Sequence, residues 1–542
     1  MGATRCGLAA ALKRAAVATV VWAGCSAAQG PLPSWTHGAT CYEVFVRSFY
    51  DSDGDGIGDL KGLIAKLDYI NDGDPRSRRS LGARCIWLMP IVASPSYHGY
   101  DATDYYRVTR DYGTNDDFKR LVGEAHRRGI RVLVDMVLNH TSNEHPWFQA
   151  ALRDTASPYR SWYRWSATKP NERGPWGQEV WHKSPVRDEY YYGVFYSGMP
   201  DLNYETPAVR DEVKKIARFW LEEMGADGFR LDAVPFLVEE GGTLAGSPGT
   251  HALLHEYEQY LRSVKRDVYT VGEVYDSIGA VLPYYPEQLD SYFAFEMADS
   301  IIAAVRAGSA RGLLAPLLRL QYDVAPDRWS SFLRNHDQPR TRSELGGDVA
   351  KARLASLLLL TMPGLPFVYY GEEIGMTGTK PDERIRTPMQ WSSAHAGGFT
   401  TGTPWESLQP DSLTTNVEVE ERDPRSVLAL HRALIHLRAS NAALSGGALI
   451  PLTSSTGTVA AFLRRDGDHV VLVIANLGTG TATSVSVASA PGALPAGRWR
   501  LRSLLDASSG APLLVGGDGK VSGYVPLPVL SPEQGYVFEM IR

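Results

Sequence analysis

Eight short apolar runs, separated by longer stretches with helical periodicity, recur between residues 41 and 370 and constrain the fold more than any other feature of the chain. They read CYEVFV from Cys41, CIWLMP from Cys85, RVLVDMV from Arg131, GFRLD from Gly228, VYTVGEV from Val268, SYFAFE from Ser291, WSSFL from Trp329 and PFVYY from Pro366. Strands covered on both faces lose the alternation of a half-exposed strand and become continuous apolar runs, as parallel strands packed under helices do. The covering helices are legible between them: DDFKRLVGEAHRRG precedes the third run and AVRDEVKKIARFWLEEMG the fourth, each closing on a glycine suited to a helix C-terminus. Eight such units predict an α/β fold, a (β/α)8 TIM barrel over residues 37–142 and 205–442.

Two segments depart from that rhythm. Residues 143–204, rich in Trp, Tyr, Pro and Gly, are too long for a simple strand-to-helix loop and predict a small inserted domain after strand three. Residues 443–542 carry alternating runs such as TVAAFLRRDG, HVVLVIANLG and EQGYVFEMIR without helices between them, which predicts a C-terminal antiparallel β-sandwich. At the other end, Arg5, Lys13 and Arg14 precede the apolar run AAVATVVWAG, which is too short to span a bilayer. Residues 1–25 therefore read as a signal peptide and 26–36 as a linker, and the protein is expected to be exported to the periplasm or the cell surface. WAGC resembles a bacterial lipobox, in which a lipid on Cys25 would attach a soluble domain to a membrane without spanning it. Trp22 stands where such signals usually have Leu, so ordinary cleavage near Ala28 is the alternative.

With Cys6 and Cys25 assigned to the leader, Cys41 and Cys85 remain, and both lie in apolar strand-like runs. They are expected as buried free thiols, and no Cys or His spacing suggests zinc. A net charge of -6 and the absence of a long Lys/Arg run argue against a nucleic-acid partner. A monomer is expected.

Three carboxylates fall just past apolar runs: Asp232 in GFRLDAV, Glu273 in YTVGEVY and Asp337 in FLRNHDQPR. A single one among 61 Asp and Glu residues would be read as solvated surface charge. Three at C-terminal strand ends are different, because in a (β/α)8 barrel that rim is where chemistry is built. Glycoside hydrolysis needs one ionised carboxylate and one protonated carboxyl at the same bond. On a strand, residues 230 and 232 point to the same side, so the Arg230 guanidinium can hold Asp232 anionic. Glu273 sits among Val271, Gly272, Val274 and Tyr275, an apolar setting in which a carboxyl keeps its proton.

The words around these acids, VLVDMVLNH, GFRLDAV, VGEVY and NHD, together with ARCIWLMP and LPFVYYGEEIGM, resemble the α-amylase family, glycoside hydrolase family 13, in order and spacing. The resemblance runs from about Trp35 to the C-terminus. MPDLNY at Met199 to Tyr204 is similar to the fingerprint of bacterial members intermediate between oligo-1,6-glucosidases and neopullulanases, a group that includes secreted and lipid-anchored α-amylases. The resemblance implies Asp232 as nucleophile, Glu273 as general acid/base and Asp337 as transition-state stabiliser. It implies His140 and His336 as ligands of sugar hydroxyls, Tyr100 as a stacking platform with His98 and Asp101 near the same ring, and Asp135 as a framework acid paired with Arg230.

DERIRTPMQW, carrying Asp382 and Arg386, resembles both the second donor subsite of amylases and a word of exo-acting α-glucosidases and trehalose synthases. Pairing of Arg386 with Asp101 would close the donor side after one sugar; separation would leave an open, endo-acting cleft. YHGY and MPDLN favour the open cleft. The expectation is a retaining α-amylase cutting internal α-1,4 bonds of starch, maltodextrin or glycogen, with an exo-acting α-glucosidase, an oligo-1,6-glucosidase or a glucosyl transferase as alternatives and a non-catalytic glucan-binding protein as a further one.

The segment from Asp51 to Asp59 places carboxylates at Asp51, Asp53, Asp55 and Asp59 and the Ile57 carbonyl in one tight loop, the crowd of hard oxygens that Ca2+ takes. It lies just after the first strand and resembles the calcium loop of oligo-1,6-glucosidase relatives, so structural calcium is expected there. A second calcium position of many α-amylases would use Asn139, but VPF follows Asp232-Ala233 where those enzymes often have Lys-His, which speaks against it.

Overall fold

A computed structural model describes residues 30–542. Cys25 and the leader lie outside the described residues. All eight apolar runs supply strands: β1 (Cys41–Val44), β2 (Cys85–Leu88), β3 (Arg131–Met136), β4 (Gly228–Leu231), β5 (Tyr269–Gly272), β6 (Ser291–Tyr292), β7 (Ser330–Ser331) and β8 (Leu365–Tyr369). They form one sheet in the order β6, β5, β4, β3, β2, β1, β8, β7. Every pairing in it is parallel, and a bridge from Phe293 to Ser330 joins β6 to β7 and closes the barrel. The (β/α)8 barrel stands as the sequence predicts.

Two runs, SYFAFE and WSSFL, supply strands of only two residues. SYFAFE is extended only at Ser291–Tyr292, and a helix begins at Phe295, because an unbroken aromatic run fits a buried helix start as well as a strand. Of the two helices named from sequence, Asn115–Arg127 is closed at its start by a capping box between Thr114 and Asp117. The other is α-helical only over Pro207–Arg218 and widens to a π turn at Phe219–Glu223. That turn holds Trp220 fully buried with its indole N–H on the Tyr105 carbonyl at 2.9 Å.

The thiols depart from expectation. Cys41 and Cys85 are directly opposed in the β1–β2 register, with Cα atoms 4.5 Å apart, and form a disulfide. Opposed residues on neighbouring parallel strands send their side chains to the same face, and this spacing lies within the range a disulfide bridges. Register, which the run of letters does not carry, decided the matter.

Residues 143–204 hold a helix, Pro146–Arg153, and a three-stranded antiparallel sheet from Trp165–Ser166, Tyr190–Tyr192 and Trp181–Lys183. Phe148 and Trp165 stack between helix and sheet at 5.7 Å. The segment returns to the barrel through hydrogen bonds from Leu202 N–H to the Asn139 carbonyl and from the Tyr204 hydroxyl to the Leu138 carbonyl. The last region is a seven-stranded antiparallel sheet with a two-stranded companion, wrapped around a separate core that includes Ile474, Trp499 and Phe538. Buried Arg464, on a strand of that sheet, fastens it to the barrel at the C-terminus of the helix Val349–Thr361, and Arg438 on the last long barrel helix, Val427–Ser440, reaches the same helix end. Their guanidinium groups donate to the Thr361 and Met362 carbonyls at 2.6 and 2.8 Å, satisfying orphan groups there. No helix among the described residues is long and apolar enough to cross a membrane.

Candidate active site

The C-terminal ends of β3, β4, β5 and β7 deliver Asn139 and His140, Asp232, Glu273, and His336 and Asp337 to one rim of the barrel. At its centre Arg230, 1% exposed, is shared by three carboxylates. One terminal nitrogen lies 2.8 Å from Asp135 and 2.6 Å from Asp232; the other lies 2.7 Å from Glu273. The guanidinium also sits over the Trp87 and Tyr100 rings, 5.1 and 5.7 Å from their centres. Asp135 accepts further hydrogen bonds from the Trp87 indole at 3.2 Å and the Tyr100 hydroxyl at 3.0 Å, so it is fully engaged as framework.

The electrostatics separate the acids. Burial raises the Glu273 carboxyl, Arg230 lowers it and the Asp232 charge raises it again, leaving it at about 7. Asp232 is lifted by burial and pulled back by the same Arg230, and stands at about 6, still above the ordinary carboxylate range. Asp337 resists the upward push of burial and lies well below the usual carboxylate range, held by His336 at 3.2 Å and Arg386 at 2.8 Å. Burial alone would depress His336, but Asp337 and Glu43 raise it to about 10. Its Nδ1–H donates to Glu43 at 2.6 Å, its Nε2 lies 2.6 Å from the Tyr100 hydroxyl, and the imidazolium is permanent at neutral pH. His140 is pushed by burial down to about 4 and is neutral, with Nε2 at 3.0 Å from the Tyr100 carbonyl.

A cavity of about 850 Å3 opens over these groups, near the upper end of the ~300–1,000 Å3 range of small-molecule sites. Its wall includes His98, Tyr100, His140, Asp232, Glu273, Asp337, Asp382 and Arg386. Arg230 and His336 lie beneath that wall and position its acids. The His98 ring lies over Tyr100 at 6.1 Å and 25°, and Tyr100 in turn over His336 at 5.5 Å and 13°. Asp101 is not on the wall: its carboxylate accepts from the hydroxyls of Ser94, at 2.6 Å, and Ser96. Arg386 does not reach Asp101. It contacts Asp337 at 2.8 Å and Asp382 at 3.3 Å and donates through Nε to the His336 carbonyl at 2.9 Å.

Away from the cleft, Asp51, Asp53 and Asp59 bring one carboxylate oxygen each within 4.8 Å of the others, while Asp55 lies outside that group. The loop is fixed by backbone N–H groups of Gly54 and Gly56 on Asp51 and by the Thr400 hydroxyl at 2.5 Å. Gly56 has φ +94°, and a Cβ there would meet the Thr403 carbonyl at 2.0 Å, so only glycine fits. A hydrogen bond from the Asp55 backbone lowers the Asp53 carboxyl, yet it ends above its ordinary value through desolvation and the charges of Asp55, Asp51 and Asp59. That repulsion suits a site for a cation. Behind the cleft Asn139 hydrogen-bonds Asp201, whose carboxyl is raised by burial and by the nearby Glu239 charge, and Glu239 is itself 2.7 Å from Arg164.

Two participants were not singled out from sequence. Glu43, buried in β1 and bonded to His336, was detectable as a lone acid inside the apolar run CYEVFV. Trp87 in CIWLMP carried no such signal, since a tryptophan in a barrel strand is ordinary core.

Acids at barrel strand ends, one held ionised and one partly protonated over a cleft of this size, define a glycosidase-type site. The α-amylase catalytic-domain model matches residues 43–447, and the chain belongs to the α-amylase family. It is 41% identical over 450 residues to α-amylase 3 of Dictyoglomus thermophilum, covering 82% of this chain and 85% of the relative. It is 36% identical over 513 residues to the trehalose synthase/amylase of Mycobacterium tuberculosis, covering 83% of each. The crystal structure of the α-amylase from H. orenii superposes with a TM-score of 0.81 at 40% identity, over 93% of this chain and all of that one.

Proposed function

We propose that the protein is a retaining α-amylase that cleaves internal α-1,4 bonds of starch, maltodextrin or glycogen. Asp232 attacks the anomeric carbon and forms a glycosyl ester, while Glu273 protonates the departing oxygen. Glu273 then takes a proton from the water that opens the ester, and Asp337 grips the hydroxyls of the distorted sugar. The observation that carries the endo reading is the placement of Arg386, which binds Asp337 and Asp382 and leaves Asp101 to Ser94 and Ser96, so Arg386 and Asp101 do not pair across the donor side. Rapid loss of iodine staining from soluble starch, with little free glucose, is the expected result. Early glucose as the main product, or a rearranged disaccharide, would instead favour the α-glucosidase or glucosyl-transferase reading, to which the trehalose synthase/amylase relative lends weight.

The proton affinities give this reading a pH signature. Turnover requires Asp232 ionised and Glu273 protonated, so kcat/KM should rise as pH climbs through about 6 and fall as it passes about 7. A profile flat from about pH 5 to 9 would contradict the assignment of these two roles.

Calcium held by Asp51, Asp53 and Asp59, with Asp55 and the Ile57 carbonyl brought in on binding, would tie the loop after β1 to the Thr400 region and contribute stability rather than chemistry. Chelation is expected to lower Tm by roughly 5 °C and Ca2+ to restore it, with Asp51→Asn insensitive to both. An unchanged Tm on chelation would remove the metal from the account. Export with a lipid on Cys25, to the periplasm or cell surface, is the proposed location, and a disulfide between Cys41 and Cys85 suits an oxidising compartment. Mass spectrometry of the mature N-terminus tests it: a diacylglyceryl mass on Cys25 is expected, and an unmodified start downstream would contradict it.

A further inference from the structure

The cleft continues past the carboxylates onto a second surface built by the inserted segment. Trp176 lines the same cavity as Asp232 and Glu273 yet is 64% exposed, among the more exposed large apolar residues described. Its backing is specific. The ring rests on Phe195 at 5.8 Å and 33° and on Phe236 at 5.5 Å and 59°, and those two meet each other at 6.0 Å. Phe195 also touches His140 edge-on at 5.2 Å, which links the group to the reacting subsite.

The Ala233 N–H donates to Glu273 at 3.2 Å, and the turn Val234–Phe236 runs on from it, which places Phe236, beneath the tryptophan, three residues past the one bonded to the proton donor. The loop that carries Trp176 is held in shape. Gly174 N–H bonds the Gln178 carbonyl at 2.9 Å, Trp176 N–H bonds the Gln178 side chain at 3.0 Å, and that amide donates to the Val194 carbonyl at 2.8 Å, next to Phe195. An indole fixed at a turn tip, supported by two rings and otherwise open to solvent along a sugar cleft, has unfilled apolar area where a flat apolar ligand would cover it.

We infer that Trp176 is a stacking platform for a glucosyl ring of the leaving-group part of the glucan, and that it sets the preference of the enzyme for longer chains. This rests on the proposed endo action on α-glucans and adds to it the residue that reads chain length. Trp176 is a specificity residue and takes no part in bond cleavage.

The test compares the full-length protein with W176A and W176F, by kinetics on maltotriose and maltoheptaose and by calorimetric binding of both sugars in an E273Q background. For W176A, kcat/KM on maltoheptaose should fall about tenfold, the ~1.4 kcal/mol within reach of one aromatic contact, mainly through KM, with a much smaller loss on maltotriose. W176F should recover most of the loss, and binding should follow the same order. Equal losses on both sugars, or no loss on maltoheptaose, would overturn the inference. A drop shared by W176F together with a lowered Tm would reassign Trp176 to packing of the inserted segment, which also overturns it. Failure of the endo reading shows separately, as exo products from the unsubstituted protein with the length-dependent binding intact.

Discussion

Replacing Asp232 with Asn or Glu273 with Gln should lower kcat on starch by about 10,000-fold or more while leaving Tm within a few degrees, because each removes a group whose charge or proton the chemistry needs. The two variants should then diverge on a substrate with a good leaving group. Maltosyl fluoride needs little protonation to depart, so the Glu273→Gln protein should still form the glycosyl ester in a burst, whereas the Asp232→Asn protein should not. This split follows from position: both carboxylates share Arg230, but Glu273 holds its proton to about 7 and Asp232 to about 6. Comparable bursts from both variants, or substantial starch hydrolysis by either, would contradict the roles assigned.

Arg230→Met is expected to have the largest combined effect on stability and activity. The residue is fully buried and its single positive charge is shared by Asp135, Asp232 and Glu273. Methionine fills most of the volume but leaves three neighbouring acids without their cation. Breaking a buried ion pair from one side typically costs about 3–5 kcal/mol, and here the remaining acids would take up protons to escape mutual repulsion. Denaturant unfolding at neutral pH should show that loss, and it should shrink as pH falls and the acids protonate. The wild-type sign is consistent: Asp232 and Glu273 already stand above the ordinary carboxylate range, and removing Arg230 raises both further. Activity should be lost with it, since an uncharged Asp232 is no nucleophile. A variant as stable as wild type would show that solvent, rather than Arg230, stabilises these charges.

The barrel was legible because its strands are covered on both faces, which leaves unbroken apolar words such as RVLVDMV that no surface strand would carry. The three acids were legible for the complementary reason: a charge ending such a word must emerge at the rim. What could not be read depended on register or rotamer. Cys41 and Cys85 become partners only because β1 and β2 pair residue for residue at that point. The choice of Arg386 between Asp101 and Asp337 is a side-chain matter that two letters in different loops do not encode. Glu43 was passed over because one acid in an apolar run invites a surface reading, whereas the barrel interior turned it toward His336. Trp176 was visible only as part of an aromatic-rich insertion until the fold brought Phe195 and Phe236 beneath it.

The central claim is an open cleft that cuts inside a glucan chain, and the product time course from maltoheptaose labelled at its reducing end tests it most directly. An account in which Arg386 stays on Asp337 and Asp382 expects labelled maltose to maltotetraose in the first few per cent of conversion, with free glucose minor. Stepwise release of glucose from the unlabelled end, with labelled maltohexaose as the first product, would mean that the donor side is closed after one sugar and would contradict it.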